Sequence, residues 1–372
     1  MDAGMTKSYI YPIANRLTHG AMILSLPLCY VLGDFNQLFY YHGVLGMVFF
    51  YAVVFRILWG MFGSKHSRFS DFHFKGLKEY LLCVFGEKKS YIAHNPASSI
   101  AIVLMLVLGV LTCLSGLVLW GEKEGGGIFS SLYFSYHSLN SFAKLHELFA
   151  NSLLIVVGVH ICGALIDRII HKNDSLQAII GGYKTTPTQE SITLTPTQKL
   201  FCAFYGVFAL FLTLYTLYPK NLLLGFTTPS PLIAHTSSQA LYQKECGSCH
   251  IAYAPYLLPK EAWGKMMSDL ENHFGDDASV ESDTQKELAQ FLEDNSQRDT
   301  YIADRLSKER GDYLAFSQTQ LFAKIHKKIP QKVFKSKEIK SRANCQSCHK
   351  DAERGYFQKS RIDFSKLNAL KS

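Results

Sequence analysis

Two short stretches of the 372-residue sequence share one design: Cys246-Gly-Ser-Cys249-His250 and Cys345-Gln-Ser-Cys348-His349. In each, two thiols are separated by two residues and followed at once by an imidazole. That order suits covalent capture of a haem, because the thiols add to its two vinyl groups and the next residue reaches the iron. One such motif alone could also be a redox dithiol or half a zinc site. A second copy in the same stretch of chain weakens both alternatives, so two covalently attached c-type haems are expected.

Each iron needs a sixth ligand, and the donors nearby are His235, His273, His326 and the adjacent Met266 and Met267. The two methionines precede His273 within one amphipathic stretch, so the three side chains do not all reach iron. Two bulky Met in such a stretch read as core. Ligation by two histidines gives a lower potential than His/Met ligation, which would suit a menaquinone-linked chain.

A second constellation lies in the apolar half of the chain: His19 in ANRLTHGAM, His42 in YYHGVLG, His146 in KLHELFAN and His160 in VGVHICG. His146 and His160 are fourteen residues apart. In a helix that spacing turns about four times less 40° and rises about 21 Å, so both rings face one way near opposite membrane surfaces. An ionisable group inside a span is costly and marks function. Depth supplies partners, His42 for His146 and His19 for His160, and two b haems stacked across the bilayer are expected. His66, His73, His94, His137 and His171 fall in loops or at helix ends and read as solvated, with His94 also suited to an inner quinone site or a haem propionate.

The elements that must position these groups are long apolar runs. Five spans are expected, roughly Arg16–Gly33, Leu38–Phe62, Ser98–Trp120, Leu148–Ile170 and 200–219. An apolar run of about 20 residues crosses the hydrocarbon core as a helix. The first is read as an uncleaved anchor and not a signal peptide, since no small-residue cleavage site follows it. The formal charge of +8 does not indicate nucleic acid. Much of it sits in one loop, with Lys65, Arg68, Lys75, Lys78, Lys88 and Lys89, as the positive-inside rule asks of a cytoplasmic loop. The N-terminus is then cytoplasmic and the C-terminal part periplasmic, on the side where c-type haem is attached. Cys29, Cys83, Cys113, Cys162 and Cys202 are scattered singly and read as small buried hydrophobes. The 171–198 stretch, with Gly181-Gly182 and KTTPTQESITLTPTQK, reads as a linker.

RLTHG, HGVLG, FRILWGMFGSKHSRFSDF, AHNPAS, HELFAN and VVGVHICG, in that order, resemble the bacterial cytochrome b561 and hydrogenase b-type cytochrome family over roughly residues 7–185. The resemblance implies two b haems, electron exchange with quinone, and a tendency to dimerise. The sequence departs from it at Gly20, where many members carry Trp, and at Ala93, where Gly is common. CGSCHIAYAPYLLPKEAWGKMMSDLENHFGDDASVE, and later FAKIHKKIP with RGYF after the second motif, resemble the diheme cytochrome c family over about 238–364. By that resemblance His273 and His326 are the distal ligands, with the motif served by each left open.

The expected fold class is all-α: a transmembrane four-helix haem b bundle over 1–185, a linker and fifth anchoring helix over 186–235, and a mainly helical periplasmic two-haem c domain over 236–372. The expected function is electron transfer between quinone and a periplasmic redox partner, with the chain in the bacterial inner membrane. Seven Lys and one Arg between Lys324 and Arg342 face a lone Glu338, which is a docking surface for an acidic partner or a solvated face. The alternatives are a haem-based oxidoreductase, such as a superoxide oxidase or small-molecule reductase, and an electron-transfer subunit of a hydrogenase or dehydrogenase. Eight histidines for four irons leave no open coordination position for the former.

Overall fold

The computed structural model describes residues 6–82, 91–134, 139–187, 189–218, 220–226, 237–296, 301–309, 311 and 313–365. His137, His235, Cys83, Lys88, Lys89 and the end of the expected fifth span at Pro219 lie outside them. The chain is mainly helical and divides into two compact units. Unit one comprises 1–34, 41–118 and 141–224, and unit two 35–40, 119–140 and 225–372.

Unit one holds the long helices. They are α1 (Ile13–Leu32), α2 (Phe39–Phe62), short α3 (Leu77–Leu82), α4 (Pro96–Glu124), α5 (Leu139–Ile169), short α6 (Ser175–Gly181) and α7 (Pro196–Thr216), with α2, α4 and α5 running on at one end into unit two. Their starts are written in the sequence. Asn95 accepts the Ser98 N–H at 2.8 Å just before Pro96, and Thr195 with Gln198 forms a reciprocal cap ahead of α7. Phe49 and Val53 of α2, Leu106 of α4 and Leu153 of α5 form a buried core, with Met22 and Leu26 of α1 packed on it. Four helices thus share one core. The fifth, α7, lies against α2, with Phe201 stacked on Phe55 and Trp59, Tyr205 tilted against Phe55 and the Tyr205 hydroxyl donating to the Tyr51 carbonyl at 2.7 Å.

Among the described residues, four helical stretches are long and apolar enough to cross a membrane: Asn36–Phe62, Pro96–Glu124, Phe142–Ile169 and Pro196–Thr216. The expected first span is a 20-residue helix, α1, that falls outside this set. Asn15, Arg16 and His19 dilute its apolar character. Leu24 of α1, Ile155 and Val159 of α5, and Leu200, Phe204 and Val207 of α7 are exposed, which water would penalise and lipid does not.

The 171–198 stretch is more ordered than a linker. It contains α6 and the strand Tyr183–Thr186 (β2), which pairs antiparallel with Thr6–Tyr9 (β1). Glu190 then receives Lys65 at 2.6 Å and His66 Nε2 at 3.3 Å, and Gln198 donates to the Phe62 and Gly63 carbonyls. His66 is therefore buried and paired, contrary to the expected solvated loop residue.

Unit two carries α8 (Ser237–Cys246), α9 (Lys260–Ser268), α10 (Ser282–Ser296), α11 (Tyr301–Ser307), α12 (Gln320–Ile325) and α13 (Gln331–Phe334), with a 3-10 turn between α8 and α9, α9 and α10, and α11 and α12. Its cores are small and separate. One gathers Tyr242, Trp263, Met267, Leu288 and Leu292, and another Phe322, Val333, Phe334 and Ile339. Met267 is buried in the first and Met266 packs against it, in keeping with the core reading of both.

Candidate metal centres

The ligand-type histidines meet in pairs. His42 on α2 and His146 on α5 have ring centres 6.2 Å apart. His250 of the first Cys-x-x-Cys-His motif lies 6.1 Å from His273, and His349 of the second lies 6.2 Å from His326. Two imidazoles bonding one first-row metal at about 2.0–2.1 Å from opposite sides have ring centres roughly 6.3 Å apart, against roughly 5.2 Å at a tetrahedral angle. At the opposite end of the bundle lie His19 on α1 and His160 on α5. The sequence left open which distal histidine belongs with which motif; in the structure His273 faces His250 and His326 faces His349.

Local bonds fix the rings. His42 Nδ1 bonds the Cys29 carbonyl at 2.7 Å, and the Cys29 thiol donates to the His42 carbonyl at 3.3 Å. His146 Nδ1 bonds the Thr112 carbonyl at 3.0 Å, with Ser115 Oγ at 3.3 Å. His250 Nδ1 meets the Ile251 carbonyl at 2.8 Å, and His326 Nδ1 the Phe322 carbonyl at 3.0 Å. A carbonyl on Nδ1 keeps the proton there and leaves Nε2 with a free lone pair, the arrangement that orients a metal-binding imidazole. In unit two, burial lowers the affinity of His273, His326 and His349 for a proton, with His349 pushed down to about 4 and its neighbour His326 adding to the effect. Near neutral pH these rings are in the neutral, ligating form.

The donor set fits a haem better than a bare ion. Among the described residues no group of three or more His, Cys, Asp or Glu side chains could hold a metal. A pair of imidazoles is enough only where a porphyrin already fills the equatorial positions. None of Cys246, Cys249, Cys345 and Cys348 is held in a disulfide, so their sulfurs could form thioethers. Space is reserved as well. A Cβ at Gly116 would stand 3.0 Å from the His146 ring and one at Gly33 3.2 Å from the His42 ring. At Gly20, Gly158 and Gly163, around His19 and His160, a Cβ would meet nothing within 4 Å.

Near His19 lies a polar group that the sequence did not single out. Arg56 on α2 packs its guanidinium over the rings of Phe69 and Phe72, with Nη1 buried and without a hydrogen-bond partner. His94 stacks edge-on against Phe72 at 4.7 Å. Burial, reinforced by Arg56, pushes His94 down to about 3, so it too is packed and neutral. An apolar groove lined by Ile57, Phe69, Val103, Leu106, Val107 and Val110 runs beside Arg56. The signal for this cluster was an Arg inside an apolar run.

Comparison with known proteins agrees with this division. Residues 10–182 match the family model of prokaryotic cytochrome b561, and residues 242–357 that of dihaem cytochrome c. The chain is similar to the diheme cytochrome type c from Shewanella baltica, at 28% identity over 34% of this chain and 94% of that one, with a TM-score of 0.29. It is similar to the diheme cytochrome c from Rhodobacter sphaeroides, at 32% identity over 33% of this chain and 100% of that one, with a TM-score of 0.30. No curated protein sequence matches it. The chain is a membrane haem electron-transfer protein in which a region that matches the prokaryotic cytochrome b561 model precedes a region that belongs to the dihaem cytochrome c family.

Proposed function

We propose that the chain carries electrons between the quinone pool and a periplasmic redox partner, using two b haems and two covalent c haems. The observation that carries this reading is the set of three His–His pairs at 6.1 to 6.2 Å, two of them anchored by Cys-x-x-Cys-His motifs. His42 with His146 and His19 with His160 would hold the b haems; His250 with His273 and His349 with His326 would hold the c haems. When bound, these groups supply one-electron redox chemistry. The residues orient the rings, keep them neutral and withhold the iron from other ligands, which favours electron transfer over small-molecule catalysis.

The family suggests quinone, and the Arg56 guanidinium, whose Nη1 is buried and without a partner, offers a hydrogen-bond donor to a quinone oxygen beside an apolar groove suited to its tail. The Lys-rich 63–97 loop favours a cytoplasmic position for that end and a periplasmic position for unit two in the inner membrane. In this arrangement 1–185 is the b-type bundle, 186–235 delivers the chain through the fifth helix, and 236–372 is the c domain. Seven exposed lysines around His326 suit a partner with an acidic face.

The test follows the b and c absorption bands of the detergent-purified protein after addition of a menaquinol analogue. Reduction of b first and c afterwards is expected. Quinol that leaves both oxidised, while a reduced soluble cytochrome fills c and then b, would reverse the direction and favour a quinone-reducing or enzyme-feeding subunit.

A further inference from the structure

The two motif–histidine pairs of unit two are tied together by one short segment. It leaves the first motif as AYAPYLL, residues 252–258, and its two tyrosines reach across to the part of the chain that holds the second motif. Tyr253 lays its ring 5.0 Å from the His250 ring, tilted by 40°. Its hydroxyl donates to the Ala343 carbonyl at 2.5 Å. The same carbonyl accepts the Cys345 N–H at 2.9 Å. One side chain therefore bears on the histidine of the first motif and, through a single carbonyl, on the backbone of the first cysteine of the second.

Tyr256 makes another crossing. It is buried, and its hydroxyl donates to the Gly355 carbonyl at 2.6 Å. Gly355 lies six residues beyond His349, so this bond ends on backbone that carries neither a motif cysteine nor a ligand-type histidine.

The segment between the two tyrosines is held firmly. Pro255 fixes its own φ at the start of a 3-10 turn, and its carbonyl accepts Trp263 Nε1 at 2.7 Å. The Tyr253 carbonyl accepts the hydroxyl of the buried Tyr242 at 2.7 Å. Ala254, Tyr256 and Leu257 form a buried cluster against which Tyr253, Phe316 and Phe357 pack. Phe357 lies 5.3 Å from the His349 ring. Phe316 lies 5.9 Å from Phe322, whose ring is 4.1 Å from that of His326. Both histidines of the second pair thus lean on aromatic rings that trace back to the segment leaving the first motif.

We propose that Tyr253 is the positioning residue that sets electron exchange between the two c haems. Its ring bears on His250, its hydroxyl fixes the chain that enters Cys345, and the two sites keep one spacing. This rests on the two c haems of the reading above. The step is a one-electron exchange: one c haem is oxidised as the other is reduced. No bond forms or breaks, and the tyrosine keeps its hydroxyl hydrogen.

The test uses the full-length protein with its haems in place. A sub-stoichiometric pulse of radiolytic reductant is delivered, and relaxation within the c-haem bands reports exchange between the two sites. EPR of the fully oxidised protein reports the magnetic coupling of the two ferric c haems. Tyr253→Phe keeps the ring and removes only the hydroxyl. The Ala343 carbonyl still holds the Cys345 N–H, so no polar group is left without a partner and haem c content should be unchanged. Ångström-scale misplacement is costly to geometry-dependent steps, so the variant is expected to slow the relaxation by about tenfold and to weaken the coupling. Tyr256→Phe is expected to lower the unfolding temperature while relaxation and coupling stay at wild-type values.

Wild-type relaxation and coupling in Tyr253→Phe overturn the proposal. Equal slowing in Tyr256→Phe overturns it as well, because any brace between the two halves would then serve. The wild type carries a decision that no variant's folding can obscure: two ferric c haems without mutual coupling overturn the proposal. A wild-type protein whose c haems exchange with each other but take no electrons from quinol sinks the quinone reading and not this one.

Discussion

His146 is held from three sides: by the Thr112 carbonyl, by Ser115 and by the bare α-carbon of Gly116. A Cβ at Gly116 would crowd the ring at 3.0 Å, so the ring must shift for any larger residue. Gly116→Leu is expected to push His146 away from His42 and reduce the b-haem content by about half, one of two sites being lost. Gly116→Ala should keep both haems and shift the potential of one. Haem-b content per chain checks this, and full content in Gly116→Leu would contradict the role given to the ring. At this scale the ligand-type residues were legible, because Cys-x-x-Cys-His and a fourteen-residue His spacing are patterns of residue type. Their supports were not. The Cys29 and Thr112 carbonyls are backbone groups that any residue carries, and only the fold selects them. Arg56 was legible in principle as a charge in an apolar run.

The long helices could be read from the run of apolar residues, and their bounds moved outward because the helices continue past the apolar core, most at the start of α5, which is Leu139 and not the expected Leu148. α4 extends to Glu124, four residues beyond the expected Trp120. The β1–β2 pair was not legible. Thr6 and Thr186 are brought together by the whole bundle, and no local pattern announces a pairing between strands so far apart in sequence. The start of α7 is a local device and therefore easier to test. Thr195 Oγ1 accepts the Gln198 N–H at 3.2 Å while Gln198 Oε1 accepts the Thr195 N–H at 3.1 Å. Thr195→Ala should cost about 1 kcal/mol of stability. A lower unfolding temperature in detergent with unchanged haem spectra is expected. An unchanged unfolding temperature would mean that the packing of Phe201 and Tyr205 on α2 fixes α7 by itself.

Over the whole molecule, the proposed ligands follow two patterns. In the bundle they come from separate helices, with α5 alone contributing His146 and His160. In the second unit each proposed site sets a short Cys-x-x-Cys-His motif against one distant histidine, and haems attached there would complete the packing of its small cores. Charge is divided too, with seven lysines in the 324–340 stretch and six acidic residues without a Lys or Arg between Asp269 and Asp283. The account stands or falls on the presence of four irons in two chemical environments. The direct measurement is a count of haem b and haem c per chain in the purified full-length protein, by dithionite-reduced spectra and extraction of the non-covalent fraction, set against total iron. Two extractable and two covalently retained haems per chain are expected; a chain that carries covalent haem alone would contradict the assignment of His19, His42, His146 and His160.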